Sequence, residues 1–274
     1  MRLASLLVLA ACGPHAAPSP PPAPPPDALP ASLVDYMQLH AWGGMHLEWH
    51  SVRRWDLLPP AAVEYAQRQG WSRAPRQEGE AGNGVEFLAM HRAMLEVLVQ
   101  QAPDARAYFT GWAAPPTDPH DARDPLPHGA LTAFDPDMLA ALDRVEHHLD
   151  GFASEDELGL YLETAMRPTT GHPEARAADR STGVHNYLHN RFQDPQSPID
   201  MGNPQVNLLN PRFWRLHGWI DHVWAAYRAQ AHLSDDDPAY RKEMDVARGA
   251  MTMKMKGTMT REPPPQSLLD AVRP

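Results

Sequence analysis

Residues Asn210–Trp224, NPRFWRLHGWIDHVW, fold as a helix only if an imidazole joins its buried face. Asn210 is a good N-cap, and Pro211 suits the first helical position, where its missing N–H costs nothing. Phe213, Leu216, Ile220, Trp224 and Tyr227 then recur at helical spacing and form one apolar stripe. His217 lies inside that stripe. A buried imidazole needs partners for its polar nitrogens, either a backbone carbonyl or something it can ligate. Taken alone, a carbonyl-bonded core histidine is the simpler reading.

Other histidines weigh against that reading. In STGVHNYLHNRF, His185 and His189 are four residues apart, so on a helix they share a face and can hold one metal ion. Ser181 or Thr182 is placed to cap that helix. With His217 they make a three-imidazole set of a kind that suits copper, zinc, iron or nickel. The amino-terminal half repeats the arrangement. HAWGGMHLEWH offers His46 and His50 at the same spacing, with His40 as a further candidate. VEFLAMHRAMLEVLVQ sets His91 on an apolar helix face among Phe87, Leu88, Met94, Leu95 and Leu98. HLEWH is not the metalloprotease HExxH, because Glu48 is displaced by one position.

Hydrophobic residues make up 43% of the 274, enough for a full core in one domain or at most two. Helices are expected at Leu33–Trp55, Ala61–Gly70, Val85–Gln101, Pro136–Leu149, Glu155–Met166, Thr182–Phe192, Pro211–His232 and Pro238–Lys256. Strand-like alternation is scarce, so the fold class is mainly α. The connections are long, among them Ala113–Gly129, whose prolines forbid regular structure. The tail after Thr260 reads as loop.

The amino terminus reads as an export signal. Residues 1–11 hold a short apolar run, and Cys12 follows where the lipobox of a bacterial lipoprotein would place its lipidated residue. Residues 12–31 continue as a stiff proline-rich spacer. The expectation is an exported lipoprotein of the cell envelope, tethered to the membrane through Cys12, with a folded domain over 32–235 and a C-terminal helix and tail over 236–274. Cys12 is the only cysteine, so no intrachain disulfide can form. The net charge of −10 argues against nucleic acid or an anionic membrane surface as a partner.

The histidine-bearing segments resemble the type 3 copper proteins: tyrosinases, catechol oxidases and haemocyanins. Asn210-Pro211-Arg212-Phe213-Trp214-Arg215-Leu216-His217-Gly218-Trp219-Ile220-Asp221 is similar to the family's second copper motif, with Asn in place of its first Asp. His185-Asn186-Tyr187-Leu188-His189 resembles its HNxxH, and Phe87-Leu88-Ala89-Met90-His91-Arg92 its F-L-x-W-H-R. Tyrosinases carry a loop histidine shortly before that last segment, and Gly79–Gly84 has none. His46 and His50 would take its place, in a pattern similar to arthropod haemocyanins.

The resemblance implies an antiparallel four-helix bundle core holding two copper ions. His46, His50 and His91 would ligate one, and His185, His189 and His217 the other. It also implies use of O2 to oxidise phenols or catechols to quinones. Asn186, with Glu174 as the nearby acid, would orient a water that takes the substrate proton. Arg92 and Asp221 would either orient the ligand rings or form an ordinary ion pair or helix cap.

Two other functional classes remain open on the sequence: a dioxygen- or copper-holding protein with the same centre and no turnover, and a single-metal protein using only His185, His189 and His217. Met251, Met253, Met255 and Met259 form either a soft Cu(I)-recruiting patch or a flexible helix end. His147, His148, His222 and His232 read as surface residues. Oligomeric state and physiological substrate are not legible.

Overall fold

A computed structural model of the chain describes residues 28–118, 134–163, 183–192, 199–252 and 262–273. Cys12, most of Ala113–Gly129, Glu174, Ser181, Thr182, Met253, Met255 and Met259 lie outside these residues, as do the expected signal segment and most of the spacer. The fold is mainly α: among the described residues there are eleven α-helices and no strand. They are α1 (Ala31–Leu39), α2 (Trp42–Arg53), α3 (Pro60–Arg68), α4 (Asn83–Gln101), α5 (Arg106–Phe109), α6 (Pro136–His147), α7 (Glu155–Glu163), α8 (Val184–Arg191), α9 (Pro211–Gln230), α10 (Pro238–Thr252) and α11 (Gln266–Val272). None of them is long and apolar enough to cross a membrane.

Helix starts follow local chemistry. At α6 and α9 an Asp or Asn precedes a proline: the Asp135 side chain accepts from the backbone N–H groups of Asp137 and Met138, and that of Asn210 from Arg212. Each cap satisfies donors that the first turn leaves without a helical partner. The start of α4 is capped from another helix. Asp156 of α7 accepts from Gly82 N at 2.7 Å and Val85 N at 3.2 Å, so α4 begins two residues earlier than periodicity suggests.

Two expectations are corrected. The span Leu33–Trp55 is not one helix, because Ala41 adopts a left-handed conformation with φ 53° and divides α1 from α2. The Gly43-Gly44 pair lies just after the break and lowers the propensity to continue. The tail is not loop throughout: Pro263–Pro265 lead directly into α11, which buries Leu268 and Val272. With Leu47, Leu58, Tyr65 and Trp71 these form a second, smaller core across α2 and α3.

The main core surrounds α4, whose closest helix neighbours are α7, α9 and α10. Two glycine crossings set the approach. A Cβ on Gly159 of α7 would lie 2.1 Å from the Gly84 carbonyl oxygen, and one on Gly218 of α9 would lie 2.5 Å from Gly111 N. Both obstacles are backbone and cannot swing aside. Gly159→Ala is therefore expected to cost about 3 kcal/mol or more in chemical denaturation. Gly249→Ala on α10, where nothing lies within 4 Å, should be neutral or gain up to about 1 kcal/mol from helix propensity. Equal costs at the two positions would contradict this packing.

Candidate metal centre

Six histidines from four helices converge in the main core. α2 supplies His46 and His50, α4 His91, α8 His185 and His189, and α9 His217. Every one is at most 4% exposed. On α2 and α8 the four-residue spacing brings two rings edge to face on one side of the helix, with centroids 4.7 Å apart for His46–His50 and 4.4 Å for His185–His189. His91 lies between the pairs. Its ring is stacked on that of His217 with centroids 4.2 Å apart, and lies 5.9 Å from both His46 and His185. Ligand nitrogens fall within 4.8 Å of one another in two overlapping groups: His46, His50 and His91, and His91, His185 and His217. His189 lies at the margin of the second, its ring centroid 5.4 Å from that of His217.

The inner and outer nitrogens of these rings do different work. Nδ1 of His46 donates to the Pro204 carbonyl at 2.9 Å, that of His91 to Phe87 at 2.9 Å, that of His189 to Met201 at 2.8 Å and that of His217 to Phe213 at 2.7 Å. Nδ1 of His185 donates to the Asn186 side-chain oxygen at 3.0 Å. The four backbone carbonyls carry no hydrogen and assign the proton of His46, His91, His189 and His217 to Nδ1, and the Asn186 amide, with its oxygen toward the ring, assigns that of His185 likewise. Nε2 is then a bare lone pair in each of the five.

That assignment changes the meaning of one short contact. Nε2 of His185 and Nε2 of His217 are 3.1 Å apart. Neither has a hydrogen to give, so this is two lone pairs facing each other rather than a hydrogen bond. Only a cation between or beside them makes such a contact favourable. Nε2 of His91 and of His189 are likewise buried without a hydrogen-bond partner among the described residues. A buried acceptor left unpaired costs free energy. His46 and His50 are less diagnostic, because at 3.2 Å between their Nε2 atoms His50 can donate to His46.

Protons do not fill the role of that cation near neutral pH. Burial pushes the imidazoles down, His46 to about 4 and His189 to about 3, with neighbouring positive groups adding to the effect at His189. His50, His91, His185 and His217 are held well below the ordinary value, first by burial and then by one another. The residues therefore fit a metal: neutral imidazoles, fixed tautomers, inward lone pairs and a dry apolar shell. Phe213 stacks on His217 at 3.9 Å and lies 5.3 Å from His46, and Phe87 lies 4.6 Å from His91 and 5.0 Å from His185.

Other residues fall elsewhere. His40 is exposed at the end of α1 against Tyr36, 4.4 Å between rings, and takes no part. His147, His148, His222 and His232 are exposed. Arg92 pairs with Asp221 at 2.5 Å, donates to the Tyr240 hydroxyl and lies over the Trp224 ring at 3.8 Å. The pair ties α4 to α9 and α10, and none of these partners of Arg92 is a ligand ring. Met251 is buried in the core. Asn186 is buried and holds His185 through the contact already described.

Sequence reasoning missed the segment Ile199–Asn210, whose Pro204 and Met201 carbonyls orient one ring from each histidine pair. A carbonyl has no residue signature, so only the clustering of Asn, Gly and Pro could mark the segment as a turn-rich loop. It also missed Glu163, 2% exposed at the end of α7, with Oε2 unpartnered among the described residues. Burial and the neighbouring Glu78 hold that carboxyl well above its usual range, against the opposing pull of Arg53 and Arg54.

Comparison with protein-family models and with curated proteins gives no match for this chain.

Proposed function

We propose that this protein is a dinuclear copper oxidase that uses O2 to oxidise phenols or catechols to quinones. The single observation that carries the reading is the 3.1 Å approach of two proton-free Nε2 atoms at His185 and His217, inside a buried set of six imidazoles. In this reading His46, His50 and His91 hold one copper and His185, His189 and His217 the other, with α2, α4, α8 and α9 forming an antiparallel four-helix core. Held by these six imidazoles, two copper ions would supply the redox chemistry that couples substrate oxidation to dioxygen reduction. Four electrons from two catechols reduce one O2 and give two quinones and two waters.

The chain's own residues do the rest. Neutral ligands would leave the charge of bound metal ions uncompensated, which would favour the phenolate form of a substrate. Phe213 and Phe87 keep the rings dry. Asn186 fixes the His185 tautomer, and Glu174 is the proposed partner in proton removal. Cys12 is the proposed membrane tether of the exported form. Copper-loaded protein should turn over a simple catechol, with steady quinone absorbance that requires O2 and is lost on chelation.

One observation favours a second reading. All six rings are at most 4% exposed, which admits dioxygen more readily than a phenolic ring. A copper- or dioxygen-holding protein would take up O2 once, in proportion to its sites, without quinone release. Sustained turnover excludes it.

A further inference from the structure

The segment Ile199–Asn210 touches both histidine pairs. The Pro204 carbonyl accepts from His46 of α2, and, a few residues earlier in the loop, the Met201 carbonyl accepts from His189 of α8. Met201 O also accepts from Asn207 Nδ2 at 3.3 Å, so its direction is fixed from two sides. Gly43 of α2 brings the helix against the segment so closely that a Cβ there would lie 2.0 Å from the Gln205 carbonyl oxygen. His91 and His217 have no such dependence. Their Nδ1 atoms donate to carbonyls four residues back in their own helices.

The segment is in turn held by the other end of the chain. Asp200 accepts from Gly202 N at 2.8 Å and from the Arg273 guanidinium at 2.7 Å. The Arg273 carbonyl accepts from Arg54 Nη1 at 2.9 Å, and Arg54 forms a buried two-bonded pair with Glu78. Arg54 lies one helical turn beyond His50. Val272 and Leu268 are wholly buried beside it. The residue that follows α11 thus bridges the histidine-bearing α2 and the loop that aims His46 and His189.

We propose that Arg273 is a positioning residue: through Asp200 it sets the ring orientation of His46 and His189 together, one in each pair. Its service to a metal rests on the dinuclear copper reading; its control of the two rings does not. Breaking the ion pair frees Asp200, loosens Met201 and Pro204, and leaves His91 and His217 held by their own helices.

The test separates those two dependencies. In the metal-free full-length chain with 15N-labelled histidine, the Nδ1–H signals of His46, His189, His91 and His217 are followed by hydrogen exchange in wild type, Arg273→Ala, Asp200→Asn and the double variant. Exchange at His46 and His189 is expected to quicken by about tenfold or more, with His91 and His217 unchanged. The double variant should match the singles, since both act through one contact. Copper affinity by chelator competition should fall about tenfold for the same variants.

Far-UV circular dichroism identifies folded variants, and Asp200→Asn reads the same contact where loss of Arg273 prevents folding. Unchanged exchange at His46 and His189 in a folded variant overturns the proposal. So does equal acceleration at all four rings, which is general loosening. A wild-type chain that binds no copper sinks the dinuclear reading and leaves the ring-exchange result to stand or fall alone.

Discussion

His217→Leu is expected to lose at least about 100-fold in copper affinity and yet melt higher than wild type when both are metal-free. The reason lies in the lone-pair contact with His185 at 3.1 Å. Without a cation that contact is unfavourable, and each buried acceptor without a partner costs about 1–3 kcal/mol. Leucine fills a similar volume beside Phe213 and the neighbouring rings, ends the repulsion and removes one of the two unpaired acceptors, leaving only the His185 Nε2. The Phe213 carbonyl loses only a side-chain donor and keeps its place in the helix. For a domain of this size a gain of about 1–3 kcal/mol corresponds to roughly 2–12 °C in Tm. A metal-free leucine variant that melts lower than wild type would mean that His217 serves packing, as a solitary core histidine would.

Acid should unfold the metal-free protein early. An ordinary imidazole takes its proton near pH 6.5, whereas burial holds His46 to about 4 and His189 to about 3 and the other four rings well below their usual value. As pH falls the unfolded chain therefore gains protons first. Stability from the neutral rings is complete above pH 6.5 and drains through the window down to about 4 and beyond. Each ring contributes up to about 1.4 kcal/mol per pH unit. Six together remove, within about one to two units, a stability of the size a typical domain possesses. Cooperative loss of structure is expected between about pH 6 and 5, followed by circular dichroism with potentiometric proton uptake. His217→Leu should shift that transition to lower pH and reduce the uptake. A metal-free chain that stays folded to pH 4 with no proton uptake on denaturation would contradict the buried neutral set.

How much of this the sequence discloses depends on the range of the interaction. Helices declared by a cap and a period, such as α9 from Asn210-Pro211 and α6 from Asp135-Pro136, are readable, because the signals lie within one turn of each other. Spacing likewise puts His46 with His50 and His185 with His189, since pitch alone fixes i and i+4 neighbours. The meeting of the two pairs is not readable from pitch. It depends on α2 turning away at Ala41, on Gly84 and Gly159 letting α4 and α7 touch, and on the small core that seats α11. Each of these is a long-range fit of backbone shapes. The loop carbonyls of Met201 and Pro204 are hidden for another reason: every residue has a carbonyl, and only the fold decides which one meets a ring. The tail was misread because three consecutive prolines signal a break, and the helix behind them is only seven residues long. Its stability comes from burying Leu268 and Val272 rather than from local propensity.

The central claim is that the six imidazoles hold a coupled pair of metals. Its most direct measurement is elemental analysis together with electron paramagnetic resonance on the copper(II)-loaded, desalted full-length chain. Two coppers per chain with almost no paramagnetic signal, the two spins being coupled through a shared bridge, is the predicted result. One copper per chain with a full signal, or a chain that retains none, would contradict it.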